Sequence, residues 1–123
     1  MSGSTRDIGN RGEDLAAAYL ESKGWTILDR NYFFQRSEVD IVAYDGTLIV
    51  FVEVKYRSGT RRGYPEESIS KKKIAHIYKA AEAWIYERRM DGSPVRLDVV
   101  TIVQEGGKAP DIRHYENAMH LDL

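Results

Sequence analysis

A chain of 123 residues, 42% hydrophobic and 30% charged, has the composition of one ordinary globular domain over residues 1–123, large enough for a real core. It contains no cysteine, which excludes disulfides, thiolate metal sites and thiol nucleophiles and fits a reducing, cytoplasmic compartment. A net charge of −1 excludes a globally basic nucleic-acid coat, so any surface for a polyanion must be a local patch, and no apolar run reaches membrane-spanning length.

Arg6–Lys23 carries Leu15, Ala16, Tyr19 and Leu20 at helical spacing and stops at Gly24, which predicts an amphipathic helix. Glu13 lies at the margin of its apolar stripe, where it reads either as a solvated helix residue or as an acid aimed along a sheet. Trp25–Asn31 reads as a first strand, and Asn31–Arg36, with three aromatics in a row, as a link. Ser37–Tyr44 alternates as a second strand. Leu48–Tyr56 is a third, so apolar that it reads as buried on both faces. Tyr56–Glu67, with Arg57, Arg61, Arg62 and scattered Gly and Pro, reads as a basic loop. Ser70 is placed to cap a long helix over Lys71–Arg89, with Ile74, Ile77, Tyr78, Ala81, Trp84 and Ile85 as its buried stripe. Val95–Val103 is a strong strand on which Arg96 and Asp98 share a face, spaced for a structural ion pair with groups near the sheet end, and Ile112–Tyr115 adds a short edge strand. The order gives a mixed sheet covered by helices, an α/β (α+β) fold.

The third strand holds the chemistry. Glu53 and Lys55 interrupt its apolar run two residues apart, and charges at such positions are costly unless paired, hydrated or holding a metal. The Asp45-Gly46 dipeptide between strands two and three signals a two-residue hairpin turn. That turn would pair Tyr44 with Thr47, set Asp40 opposite Phe51 and Glu38 opposite Glu53, and leave Asp40 about 7–8 Å diagonally from Glu53. Glu38, Asp40, Glu53 and Lys55 would then share one face. A three-residue loop would move Asp40 to the other face. Acidic oxygens converging beside a lysine suit a hard cation, Mg²⁺ or Mn²⁺, held by Asp40 and Glu53 with the Val54 carbonyl as a third ligand. Lys55 would then orient water or neutralise developing charge. Arg57, Arg61 and Arg62 beside this cluster suit a gripped polyanion. Lys71, Lys72 and Lys73 oppose the dipole of their own helix, which favours a phosphate partner there. The plainer reading of both groups is a solvated charged surface.

Asp40 followed by Glu53-Val54-Lys55 on the next strand resembles the Asp…Glu-x-Lys signature of the restriction-endonuclease-like (PD-(D/E)xK) nucleases. Gly12-Glu13, Ser37-Glu38-Val39-Asp40, Phe51–Arg57, Lys72 and Arg96–Val100 resemble more closely the YraN-like family of bacterial proteins, over about Ile8 to Val103. The same pattern is similar to archaeal Holliday junction resolvases, which also place a glutamate in the first helix. The resemblance implies a restriction-endonuclease-like αβββαβ core and metal-dependent hydrolysis of DNA, branched or junction DNA included. It makes Glu13, Asp40 and Glu53 acidic metal-site residues and Lys55 the catalytic lysine. Ser37 stands where that family usually has glycine, and Val39 replaces the proline of the nuclease signature. Neither departure removes a ligand. Junction cleavage would need two active sites and hence a homodimer. Two other readings remain: a non-catalytic nucleic-acid-binding module of the same fold, and a structural protein in which Glu53 and Lys55 pair with each other.

Overall fold

The computed structural model describes residues 5–58 and 69–120, with side chains from Arg11 onward. The chain runs α1 (Thr5–Ser22), β1 (Thr26–Phe34), β2 (Ser37–Tyr44), β3 (Ile49–Arg57), α2 (Lys71–Glu87), β4 (Val95–Val103) and β5 (Asp111–Tyr115). The five strands form one sheet in the order β1-β2-β3-β4-β5. β3 and β4 are parallel, and every other neighbouring pair is antiparallel. The expected αβββαβ order is present, and β5 extends the sheet by one strand. Among the described residues no helix is long and apolar enough to cross a membrane.

The two helices cover opposite faces, which is why β3 and β4 are apolar on both. Ile74, Ile77, Ala81 and Trp84 of α2 pack on Val42, Phe51, Leu97 and Val99. Ala16, Ala17 and Leu20 of α1 pack on Ile41, Val50, Val52, Val100 and Ile102. The predicted α2 stripe is the buried one, with Tyr78 and Ile85 partly covered at its edges. Ser70 caps α2: its backbone is extended, and its hydroxyl accepts the Lys73 N–H at 3.2 Å.

Three local expectations are corrected. First, the stretch read as a link, Asn31–Arg36, is mostly strand. β1 continues to Phe34 and pairs Tyr32 with Val39 and Phe34 with Ser37, so the turn shrinks to Gln35-Arg36, with Gln35 at φ 56. Second, β3 runs through Tyr56 to Arg57, two residues expected in the basic loop, whose residues 59–67 lie outside the described residues. Third, the Asp45-Gly46 turn is not a two-residue loop. The Asp45 carboxylate accepts the backbone N–H groups of both Thr47 and Leu48, at 2.8 and 2.7 Å, and the Asp45 N–H donates to the Leu48 carbonyl. That Asx closure takes Thr47 and Leu48 into the turn. Tyr44 therefore pairs with Ile49 and Val42 with Phe51, two residues away from the expected register.

Candidate active site

The two-residue slip brings Asp40 level with Glu53, instead of Asp40 with Phe51 and Glu38 with Glu53. An even shift preserves strand parity, whereas an odd one would have inverted it. The regular β2–β3 pairing, however, ends at Ile41–Val52. Val39 and Val42 both pack toward α2, although they are three residues apart, while Ile41 and Ala43 pack toward α1. The alternation thus slips by one residue around Asp40, and the four charged groups do not share one simple face.

In the gap that opens there, the Asp40 carboxylate replaces the missing ladder bond: its Oδ2 accepts the Val54 N–H at 2.8 Å. A strand residue sends its N–H and C=O to the same side, so the Val54 carbonyl faces the same gap. Burial first, then the neighbouring Glu53 carboxyl, lift the Asp40 carboxyl to about 8, against the opposing pull of the Val54 N–H and Lys73.

Glu13 approaches from α1. Gly12 makes this possible, since a Cβ at that position would stand 2.7 Å from the Tyr56 Cβ on β3. The Glu13 Oε1 is buried and makes no hydrogen bond, with Arg30 Nη2 loosely placed at 3.8 Å. Burial and then the Asp40 charge raise the Glu13 carboxyl above its usual value, and the same two causes raise Glu38, opposed by Lys73. Lys73, from the first turn of α2, reaches the Glu53 Oε2 at 3.5 Å. Lys55 follows Glu53 by two residues and is partly buried. Arg57, the last residue of β3, and Lys71 and Lys72, which precede Lys73 in the first turn of α2, are exposed, and Arg61 and Arg62 lie outside the described residues.

The donor set fits a hard cation: carboxylate oxygens that repel one another, one of them buried without a hydrogen-bond donor, and an amide carbonyl. Among the described residues, no three His, Asp or Glu side chains are already gathered into a metal cage. Asp40 and Glu53 act on one another electrostatically, and Glu13 acts on Asp40. Sequence reasoning placed Lys73 among phosphate contacts. Its link to Glu53 was not legible, because it depends on how α2 docks over the end of β3.

A second buried charged group lies toward the other end of the sheet. Asp98, fully buried, accepts from Arg96 Nε at 2.8 Å, His114 Nε2 at 2.8 Å and the Asn117 N–H at 2.9 Å. Lys23 Nζ stands 3.0 Å from the His114 Nδ1. An ammonium only donates, so Nδ1 accepts and Nε2 carries the hydrogen toward Asp98. Arg96 and Asp98, expected to pair with groups near the sheet end, pair with each other and with Asp45 and His114, anchoring β5 to β4.

The chain belongs to the uncharacterised protein family UPF0102, whose family model matches residues 12–102. A UPF0102 protein of Persephonella marina is 42% identical over 93% of this chain and 94% of its own length. Another, of Geobacter sulfurreducens, is 46% identical over 93% of this chain and 89% of its own length. Among solved structures, a Holliday junction resolvase of Archaeoglobus fulgidus is similar at TM-score 0.48 and 18% identity, covering 89% of this chain and 72% of that one.

Proposed function

We propose that this protein is a divalent-cation-dependent nuclease acting on DNA, working in the cytoplasm. The observation that carries the reading is the Asp40 carboxylate bridging the β2–β3 gap to the Val54 N–H at 2.8 Å, next in chain to the buried Glu53, with a Glu13 oxygen buried and without a hydrogen bond. Buried like charges are costly and are rarely kept without a use. The resemblance of Asp40…Glu53-x-Lys55 to the nuclease signature supports the same chemistry.

On this reading Asp40, Glu53 and the Val54 carbonyl hold Mg²⁺ or Mn²⁺, and Glu13 supports them directly or through water, with Glu38 as an additional acid. A cation so held supplies Lewis acidity to a phosphodiester and helps generate hydroxide at neutral pH. Lys55 orients the attacking water and offsets charge that develops on the phosphate. Arg57, Lys71 and Lys72, with Arg61 and Arg62, grip neighbouring phosphates. A four-way junction needs two cuts, so action on that substrate requires two copies of the site.

The test is incubation with branched, single-stranded and duplex DNA in Mg²⁺, Mn²⁺ or EDTA. Cleavage is expected only with metal. Glu53→Gln should abolish it, and Lys55→Ala should lower turnover while sparing Mn²⁺ affinity, because its contribution lies in the transition state. Salt-sensitive DNA binding without cleavage would instead assign a non-catalytic binding module. The absence of both metal and DNA binding would leave Glu53 with a purely structural ion pair.

A further inference from the structure

We infer that Lys73 is the internal counterion of this site: it stands in for the divalent cation while the site is free and is released to a DNA phosphate when the cation binds. The inference rests on the metal-site reading above.

Lys73 is one of three consecutive lysines in the first turn of α2. Its Nζ lies 3.5 Å from the Glu53 Oε2, and its charge also acts through space on Asp40 and Glu38. One ammonium therefore pairs with one carboxylate and lies within electrostatic reach of two more on the neighbouring strand. Those are the groups a cation would neutralise, and an ammonium is the side-chain charge nearest in character to a hydrated ion. A carboxylate cannot be fully neutralised twice. A divalent cation on Asp40 and Glu53 takes over the electrostatic role of Lys73 and weakens its hold.

Lys73 has somewhere to go. Its side chain is 45% exposed, whereas that of Glu53 is 11% exposed, so the lysine is the partner free to swing. It starts from the N-terminus of a 17-residue helix whose first turn holds no acidic residue. The Lys73 N–H is already committed to Ser70, so the cap fixes the backbone while the side chain moves. A released Lys73 adds a positive charge beside Lys71 and Lys72, where a phosphate would lie. Cation binding and DNA binding then assist one another through a single side chain.

The same pair predicts a sign that an ordinary surface lysine does not share. Removing Lys73 removes a competitor for the site, so Mn²⁺ should bind more tightly, not less. Exposed ion pairs are weak, so the gain should be about 2–5-fold. The experiment is calorimetric titration of the full chain with Mn²⁺ at pH 8 and low salt, without DNA. The proteins compared are wild type, Lys73→Met, Lys73→Arg, Lys79→Met and Glu53→Gln. Tighter binding is expected in Lys73→Met alone, wild-type affinity in Lys73→Arg and Lys79→Met, and weaker binding in Glu53→Gln.

A second measurement follows the anisotropy of a labelled duplex with and without Ca²⁺. The gain in DNA affinity on adding Ca²⁺ should be smaller in Lys73→Met than in wild type. Unchanged or weaker Mn²⁺ binding in Lys73→Met overturns the inference, as does an equal gain in Lys79→Met or an undiminished effect of Ca²⁺. If Glu53→Gln binds Mn²⁺ as wild type does, the metal-site reading itself has failed. If Glu53→Gln weakens binding and Lys73→Met does not strengthen it, only the counterion role has failed.

Discussion

At the scale of single residues, Asp40 and Gly12 make opposite demands on the fold. Burial and the neighbouring Glu53 carboxyl push Asp40 up to about 8 from 3.8. A carboxyl raised in this way favours folding fully below about pH 4, and that contribution is lost as pH climbs through about 8. Asp40→Asn supplies an amide in the shape of the neutral acid: its oxygen still accepts the Val54 N–H and its nitrogen can donate toward Glu53. In EDTA at pH 9 the variant should melt above wild type by several degrees, and the gap should narrow toward pH 5. A gap independent of pH would show that Asp40 does not titrate in the fold. Gly12→Ala tests the other demand. Alanine favours a helix over glycine by about 1 kcal/mol. Here, however, the added methyl lands 2.7 Å from the Tyr56 Cβ, a backbone-anchored atom that cannot move aside. Overpacking of that kind costs about 1–3 kcal/mol, so the variant should lose stability in urea melts despite its better helix propensity. It should also bind Mn²⁺ more weakly, because α1 carries Glu13. Unchanged stability would mean that α1 does not sit so close to β3.

At the scale of elements, β5 is held to β4 by charge as well as by its ladder. Burial alone would raise the Asp98 carboxyl, but the hydrogen bonds from His114, Arg96 and the Asn117 N–H outweigh it and hold the group below its usual range. A depressed carboxyl stabilises the fold above its unfolded value, near pH 4, and loses that effect as pH falls further. Asp98→Asn strands Arg96, whose side chain is only 16% exposed, and should cost about 2–4 kcal/mol at pH 7. The penalty should shrink toward pH 3, where wild type loses the same interaction. Urea melts at the two pH values check both points, and an equal penalty at both would remove the charge from the explanation. That Arg96 and Asp98 need partners was legible because two charged residues at i and i+2 in an apolar strand must share a face. His114, Lys23 and Asn117 were not, since nothing in local sequence says which strand lies beside β4. Both helices were readable from their apolar stripes. The hairpin register was not, because one carboxylate on Asp45 can close either a two- or a four-residue turn, and only the backbone donors of Thr47 and Leu48 decide between them. Asp40 still reaches β3 beside Glu53 despite that error, because a slip of two preserves parity and because the Asp40 carboxylate bonds the Val54 N–H where the regular ladder has ended.

At the scale of the whole molecule, a chain of net charge −1 can attract DNA only where its charges are sorted. Acids gather in the β2–β3 gap, and Arg57, the last residue of β3, and Lys71 and Lys72, in the first turn of α2, are exposed. If these three hold phosphates, each releases about one condensed counterion from duplex DNA, and the logarithm of affinity falls with the logarithm of salt by about 0.9 per contact. Replacing all three by glutamine should therefore reduce the salt slope by about 2–3 and weaken binding similarly for unrelated sequences. These side chains would touch backbone and not base edges. All three are exposed, so the thermal midpoint should hardly change. The measurement is anisotropy of a labelled duplex in Ca²⁺ across a salt series, beside a melt of each protein. A slope unchanged in the triple variant would mean that DNA is gripped elsewhere, and these three residues would then be ordinary solvated surface.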